Sequence, residues 1–244
     1  MVTRLRVEDA HSFVLHTYPW RETSLIVEVF TRDHGRLPLV AKGARRPGSA
    51  LRGVLMAFQP LAVSWTGKSE VKTLTGAYWQ GGQALLVGLA LLCGYYLNEL
   101  MLRLLPREDP HPQLFERYAQ TMRALAAGSA TAPLLRSFEL ALLQELGYGL
   151  TLDVLADTGE AVQPEGRYVF MLEHGVLAAQ GLIDDKMSDL PLMSGRCLLA
   201  MARDDFSDAE TLAQAKSLMR RLLQHYLGAQ PLESRRILMD LQEL

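Results

Sequence analysis

The residues whose types could support catalysis include the tripeptide Gly67-Lys68-Ser69, which resembles the end of a phosphate-binding loop. Such a loop needs another glycine five residues before Gly67, so that backbone amides can wrap a phosphate, and a helix directly after the tripeptide. Position 62 is Ala62, and the segment after Ser69 alternates as a strand does. We therefore predict a hairpin turn at this tripeptide and no nucleotide hydrolysis.

The other candidates for catalysis or metal binding do not form a ligand set. No two of the six histidines have ligand spacing on one helix. Asp184-Asp185 and Asp204-Asp205 are paired acids, but sequence neighbours point in different directions, which favours solvated loops. Cys93 and Cys197 lie far apart in apolar runs, which indicates buried free thiols of a reducing compartment. We predict no catalytic residue, no metal and no cofactor, so the protein is not expected to be an enzyme.

The most informative chemistry lies in a basic segment between Lys42 and Arg52. Its small residues would let the backbone approach a phosphate chain, and its cations would neutralise phosphates and release counterions. We therefore predict that this segment contacts the backbone of a nucleic acid, in preference to the alternative that its cations are only solvated. The predicted contacts are Lys42, Arg45, Arg46 and Arg52 in and around the segment, with Arg21, Arg36, Lys68 and Lys72 at other loops or strand edges.

Charge is distributed unevenly, although the net charge is only −2. Residues 1–80 hold 11 Lys/Arg and 6 Asp/Glu, a balance of +5, and the remainder has a balance of −7. This asymmetry indicates that one half meets a polyanion and the other does not. Trp20, Tyr78 and Trp79 could add base-stacking faces, whereas Trp65 is predicted to lie in the core. No pattern indicates readout of base edges, so binding should tolerate any sequence.

The elements that would position these residues change in type near residue 80. Five segments before it alternate with a period of two and are separated by turn residues, which is typical of a small barrel. We predict an α+β protein, with a five-stranded OB-fold (oligonucleotide-binding) barrel over residues 1–80 and an α-helical domain with a small β-hairpin insertion over 81–244. The predicted strands are residues 12–18, 24–30, 35–41, 61–65 and 71–78.

The helical domain is predicted from apolar residues at helical spacing. A capping box at Ser207 and Glu210 is expected to begin its last long helix. The longest apolar run, residues 84–97, is shorter than the roughly 20 residues of a membrane span. No secretory signal precedes it, so we expect a cytoplasmic protein with no membrane partner. The other predicted elements are helices at 84–105, 113–127 and 133–147, and an irregular segment at 151–195 with a hairpin of 168–173 and 176–179.

A second, weaker signal for binding lies in the helical domain. Arg136 precedes Phe138 in an apolar helix, and Lys216 and Arg220 share a helix face four residues apart. Cations beside apolar residues can dock an acidic and hydrophobic peptide tail. Structural ion pairs, such as Arg136 with Glu139, explain the same residues equally well.

Several runs of the sequence resemble the RecO DNA-repair family. They include ETSLIVEVFTRDHGR at residues 22–36, AKGARRP at 41–47, FQPL at 58–61 and WTG at 65–67, which would belong to its N-terminal barrel. Later runs are YLNEL at 96–100, RSFE at 136–139 leading to LGYG at 146–149, YLG at 226–228 and PLESR at 231–235. The matches follow one another in order along nearly the whole chain.

The resemblance implies a barrel followed by a helical domain, and the role of a recombination mediator. Members bind single- and double-stranded DNA and anneal complementary strands. They also bind the acidic C-terminal tail of the single-strand-binding protein and work with RecR to load RecA, which implies a nucleoid-associated protein. Many members carry a four-cysteine zinc site after the LGYG run. The corresponding region here, around Asp153 and Ala156, holds no cysteine, so no zinc is expected.

Overall fold

Five strands close into a barrel in the computed structural model, which describes residues 6–148, 150–179, 190–234 and 236–237. Neighbouring strands follow the order β1-β2-β3-β5-β4, and β4 pairs back to β1. The β3–β5 contact is parallel and the others are antiparallel. The α+β class and the OB-fold barrel are confirmed. The strands are β1 (Arg6–Trp20), β2 (Ser24–Thr31), β3 (Gly35–Ala41), β4 (Pro60–Thr66) and β5 (Lys72–Trp79).

Alternate residues of these strands fill the barrel, because successive side chains of a strand point to opposite faces. Val29, Leu39 and Val63 are completely buried in this cluster. Trp65 lies in it as well, which confirms its interpretation as a core residue. Gly67-Lys68-Ser69 falls in the turn between antiparallel β4 and β5. The predicted hairpin is therefore confirmed, and a strand takes the place of the helix that a phosphate-binding loop requires.

Two helices, α2 (Gly88–Leu104) and α3 (Pro112–Ala126), pack against the outer face of the barrel. Phe13 and Phe30, paired across β1 and β2, place their rings 5.4 and 5.5 Å from the ring of Phe115. The contact includes a buried polar chain. Asn98 donates from Nδ2 to the carbonyl of Leu15 (2.8 Å) and accepts at Oδ1 from the hydroxyl of Tyr118 (2.6 Å).

The buried Tyr118 hydroxyl gives a first prediction about stability. Burial raises the pKa of Tyr118, partly offset by the hydrogen bond to Asn98, so the hydroxyl remains a donor. Tyr118→Phe should leave the buried Asn98 Oδ1 without this donor, at a cost of about 1–3 kcal/mol in the free energy of unfolding. Urea denaturation measures the change. Tyr78→Phe, which removes a solvent-exposed hydroxyl, is the matched control, and equal stability of the two variants would contradict the prediction.

The chain divides into two compact units, and the division does not coincide with the change of secondary structure near residue 80. The first unit comprises residues up to Ser129 and those from Leu232, so α2 and α3 pack with the barrel. Glu99 of α2 binds the C-terminal segment that belongs to this unit, because its carboxylate accepts hydrogen bonds from the amides of Glu233 and Ser234 (both 2.9 Å).

The second unit, Ala130–Pro231, combines helices with a small sheet of order β7-β6-β8. The predicted hairpin is confirmed as β6 and β7, whereas β8 has no counterpart in the prediction. Asp184-Asp185 and residue 149 lie outside the described residues. The elements are α4 (Thr131–Glu145), β6 (Arg167–Met171), β7 (Gly175–Ala178), β8 (Leu192–Ser194), α5 (Gly195–Ala202) and α6 (Ala209–Leu227).

The start of α6 corrects the predicted capping box by one residue. Asp208, not Ser207, is the N-cap, and its carboxylate accepts from the amide of Thr211 (2.9 Å). Ser207 instead donates to Asp205 (2.7 Å). Aspartate and serine are both good N-caps, so the sequence alone did not separate the two registers.

Within the part of the chain that the structure describes, no helix is both long and apolar enough to cross a membrane.

Candidate nucleic-acid interface

The basic segment follows β3 as a series of tight turns leading into the short helix α1 (Leu51–Val54). The amide of Arg46 donates to the carbonyl of Gly43, and the amide of Ser49 to that of Arg46, both at 3.1 Å. Ala44 is completely buried in the barrel core. Gly43 has a φ of +72°, a left-handed conformation that favours glycine. The cations are therefore presented on a fixed backbone.

These cations lie in a stretch of sequence that contains no acid, and the adjoining turn holds one exposed acid, Glu22. No Asp or Glu occurs between Asp33 and Glu70 in the sequence. The four lysine and arginine side chains of the basic segment form no ion pair with another residue of the described ranges. Their positive charge is thus not taken up by an ion pair within these ranges and is open to a polyanion. The four exposed cations are Lys42, Arg45, Arg46 and Arg52.

The turn between β1 and β2 adds Arg21 to this group. The amide of Arg45 donates to the carbonyl of Thr23 (2.9 Å), and its guanidinium to the carbonyl of Arg21 (3.4 Å). The guanidinium of Arg21 lies 5.9 Å from the ring centroid of Trp20. Arg21 itself has a φ of +51°, which is uncommon for a residue other than glycine. We call Arg21, Lys42, Arg45, Arg46 and Arg52 the basic patch.

Arg36 does not belong to this surface, which corrects its interpretation as a DNA contact. Its side chain is only 12% exposed and forms an ion pair with the buried carboxylate of Glu28 (3.1 Å). It also donates from Nε and Nη2 to the carbonyl of Leu105 (3.1 and 2.8 Å). The guanidinium of Arg36 joins the barrel to the end of α2, and it would have to break these contacts to reach a phosphate chain.

Lys72 requires the same correction. Its side chain is 7% exposed and its ammonium lies 2.5 Å from the carboxylate of Glu108, in the loop between α2 and α3. Lys68 is exposed, but it lies in the turn between β4 and β5 and not in the basic segment. Because β3 and β5 run parallel with Leu39 opposite Lys72, the β4–β5 turn extends toward the start of β3, away from the basic segment at its end. Lys68 is therefore separate from the basic patch.

The exposed aromatic residues fall into two groups. Tyr18 and Trp20 lie on β1 next to the basic patch, 45% and 43% exposed. Tyr78 and Trp79 lie at the end of β5, where they pair with Ala62 and Leu61 of β4. The indole of Trp79 donates to Gln59 (3.3 Å).

Comparison with known proteins decides the family. A family model described as recombination protein O, N terminal, matches residues 7–81, and one described as recombination protein O, C terminal, matches residues 87–236. The chain belongs to the recombination protein O family. Similar proteins include the DNA repair protein RecO of Azoarcus sp. strain BH72, which is 60% identical over 244 residues and all of both chains. That of Aromatoleum aromaticum is 59% identical over the same span.

The likeness extends to other genera. The DNA repair protein RecO of Paraburkholderia xenovorans is 56% identical over 239 residues, which are 98% of this chain and 79% of that protein. The match of both recombination protein O models, one after the other, agrees with the order of the sequence resemblance. Family membership places the chain in DNA repair and recombination.

The residues predicted to dock a peptide differ in their exposure to solvent. Phe138 is completely buried, and Arg136, whose side chain is 13% exposed, donates to the buried carboxylate of Glu139 (2.6 Å). The alternative of a structural ion pair thus accounts for Arg136, and Phe138 cannot contact a peptide from its present position. Lys216 and Arg220 are exposed on α6, four residues apart.

One cluster of groups with metal-ligating atoms occurs in the described residues: Cys197, Asp208 and Glu210. Helix capping explains the carboxylate of Asp208, which accepts from the amide of Thr211, and the carboxylate of Glu210 accepts from the side-chain amide of Gln214 (2.9 Å). The thiol of buried Cys197 accepts from the hydroxyl of the same Thr211 (3.5 Å). These contacts account for the arrangement without an ion.

Sequence reasoning missed the ion network between the barrel and the loop that joins α2 to α3. Arg107 joins Glu28 (2.6 Å) and Glu70. Burial lowers the pKa of Arg107, but the hydrogen bonds and charges of these two carboxylates outweigh it and raise the pKa above its ordinary value. The signal was Glu28 itself, an acid in the middle of an apolar strand, which requires a cation once its face is covered.

Proposed function

We propose that this protein is a DNA-binding recombination mediator that holds single- and double-stranded DNA by the phosphate backbone on the basic patch. The observation that carries the proposal is an exposed group of five cations on a fixed backbone, next to a sequence stretch free of acids. Contacts to phosphates carry no sequence information, so the binding tolerates any sequence. The proposal contains no bond-breaking step.

Annealing of complementary strands follows from the same chemistry. Two single strands repel each other through their phosphates, and a cationic surface that neutralises them lowers this repulsion. Because the contacts are to the backbone, the base edges stay free to pair. We include in the proposal that the protein helps load the recombinase on the strands that it holds.

The salt dependence of DNA affinity tests the proposal. With four phosphates contacted, the logarithm of affinity should fall linearly against the logarithm of salt, with slopes of about −3 for single strands and about −4 for duplex. Fluorescence anisotropy with labelled oligonucleotides of unrelated sequences measures both slopes. A flat salt dependence, or strong preference for one sequence, would count against backbone binding.

The partners of the helical unit form a second part of the proposal. We propose that Lys216 and Arg220 receive the acidic C-terminal tail of the single-strand-binding protein, and that RecR is a further partner. The alternative function, a protein-interaction module whose barrel serves a protein partner, rests on the same two exposed cations.

A charge reversal on α6 separates these possibilities. Lys216→Glu with Arg220→Glu should weaken binding of an acidic and hydrophobic peptide about tenfold or more, because two charge-assisted contacts become repulsive. Isothermal titration with the peptide measures this. Unchanged peptide affinity would remove both residues from the docking site, and peptide binding without DNA binding by the wild-type protein would favour the alternative module.

A further inference from the structure

The last section of β1 carries a row of side chains on the outer face of the barrel. A bulge between Val14 and His16 shifts the register, and beyond it His16, Tyr18, Pro19 and Trp20 are exposed. His16, Tyr18 and Trp20 are two residues apart and therefore share one face of the strand. The rings of His16 and Tyr18 lie 4.5 Å apart, so one aromatic surface runs along the strand toward Arg21.

The neighbouring strands continue this surface sideways. Tyr18 is opposite Ile26 on β2, and Ile26 is opposite Val40 on β3. Ile26 and Val40 are partly exposed. Ala41 is paired with Leu25 in the next row, and Lys42 follows it directly. The aromatic row and the basic patch thus meet at one end of the barrel.

This end is the accessible part of the face that OB-folds use for oligonucleotides, the outer side of strands 2 and 3. The other part is covered, because Arg107 of the α2–α3 loop pairs with Glu28 on β2, and Arg36 on β3 bonds to Leu105. Tyr18 and Trp20 of β1 border this accessible end, so a nucleic-acid strand that runs from it to the basic patch lies beside their rings.

We propose that Tyr18 and Trp20 form a base-stacking platform that selects single-stranded over duplex DNA. The inference rests on the proposed binding of DNA by the basic patch and adds a preference between the two strand forms that this patch holds. Charge complementarity commits the surface to DNA, since Arg21 of the basic patch lies 5.9 Å from the Trp20 ring centroid and Lys42 follows the end of β3. Base faces are free to stack on aromatic rings in a single strand, whereas in a duplex each base is already stacked.

The spacing of the two residues along β1 supports the same choice. Residues two apart in a strand are about 6.7 Å apart, about twice the 3.4 Å rise between bases along one strand of duplex DNA. Bases that stack on both rings must be spread apart, which a single strand permits.

The test compares two matched pairs of exposed tyrosine and tryptophan. Tyr18→Ala with Trp20→Ala should lower the affinity for oligo(dT) about 30-fold, from two lost stacking contacts, and change duplex affinity less than threefold. Tyr78→Ala with Trp79→Ala should leave both affinities within twofold. Circular dichroism and thermal melting establish that each variant is folded. Equal loss of single-strand and duplex affinity in the first pair would overturn the platform, as would an effect only in the second pair.

Tryptophan fluorescence reports on Trp20 without a substitution at that residue. The chain has three tryptophans, and Trp65 is buried, so in Trp79→Phe the exposed indole is Trp20. Oligo(dT) should quench its fluorescence and shield it from iodide, while duplex DNA should do so weakly. Quenching that is identical for both forms, or absent at saturating oligo(dT), would contradict the inference. Shielding by RecR alone, with none by DNA, would show that a protein partner occupies this face.

The two proposals fail in different ways. If Arg45→Glu with Arg46→Glu retains full DNA affinity, the proposed function fails. If that variant loses affinity while the Tyr18 and Trp20 variant does not, the platform alone fails.

Discussion

Replacing both Arg45 and Arg46 with glutamate should lower affinity for single-stranded and duplex DNA about 100-fold near 0.1 M salt, from two charge-assisted contacts of about 1.5 kcal/mol each. Both side chains are exposed and lie on turns held by backbone hydrogen bonds. The substitutions therefore change charge and leave the fold in place. The slope of log affinity against log salt should become shallower by about 2.

The control for this variant is Lys216→Glu with Arg220→Glu, which makes the same change in net charge on an exposed helix face. It should bind DNA with nearly wild-type affinity. Equal losses in the two variants would mean that net charge and not the basic patch governs binding. Strand annealing should fail in the first variant and persist in the control.

Replacing Glu28 with alanine should destabilise the protein by about 3–5 kcal/mol, because Arg36 and Arg107 would lose the buried carboxylate that now neutralises them. Glu28 receives Arg36 (3.1 Å) and Arg107 (2.6 Å), and the side chain of Arg36 is itself largely buried. The substitution also removes the link between β2 and the α2–α3 loop. Urea denaturation measures the loss.

Glu8→Ala is the matched control, because Glu8 pairs with Arg6 at 2.5 Å with both side chains mostly exposed. Exposed pairs contribute about 0–1 kcal/mol, so this variant should remain close to the wild type. A similarly small change in the Glu28 variant would show that the barrel and the helices hold together without the network.

The sequence was sufficient for the barrel because its strands carry their own signal. Alternation set the register of Val27, Val29 and Leu39, and a one-residue slip would have moved all of them to the wrong face. The position of the basic segment followed directly, since turn residues separate it from β3 and β4. The hairpin at Gly67-Lys68-Ser69 was predictable for the same reason.

The burial of Arg36 and Lys72 could not be predicted in this way. Each lies on a strand with polar spacing, and each becomes buried only when the loop between α2 and α3 folds over it. Glu108 of that loop is 36 residues from Lys72, and Leu105 just before it is 69 residues from Arg36, so the contacts are tertiary. Phe138 poses the same difficulty, because helical spacing does not tell which of its neighbours covers it.

Chemical modification of arginines with and without DNA tests the basic patch most directly, because it reads the wild-type protein residue by residue. A phenylglyoxal reaction followed by peptide mass spectrometry should show that bound oligonucleotide protects Arg21, Arg45, Arg46 and Arg52. Arg220 should react equally in both states, and buried Arg36 slowly in both. Protection of arginines elsewhere, with Arg45 and Arg46 as reactive in the DNA complex as in the free protein, would contradict the account.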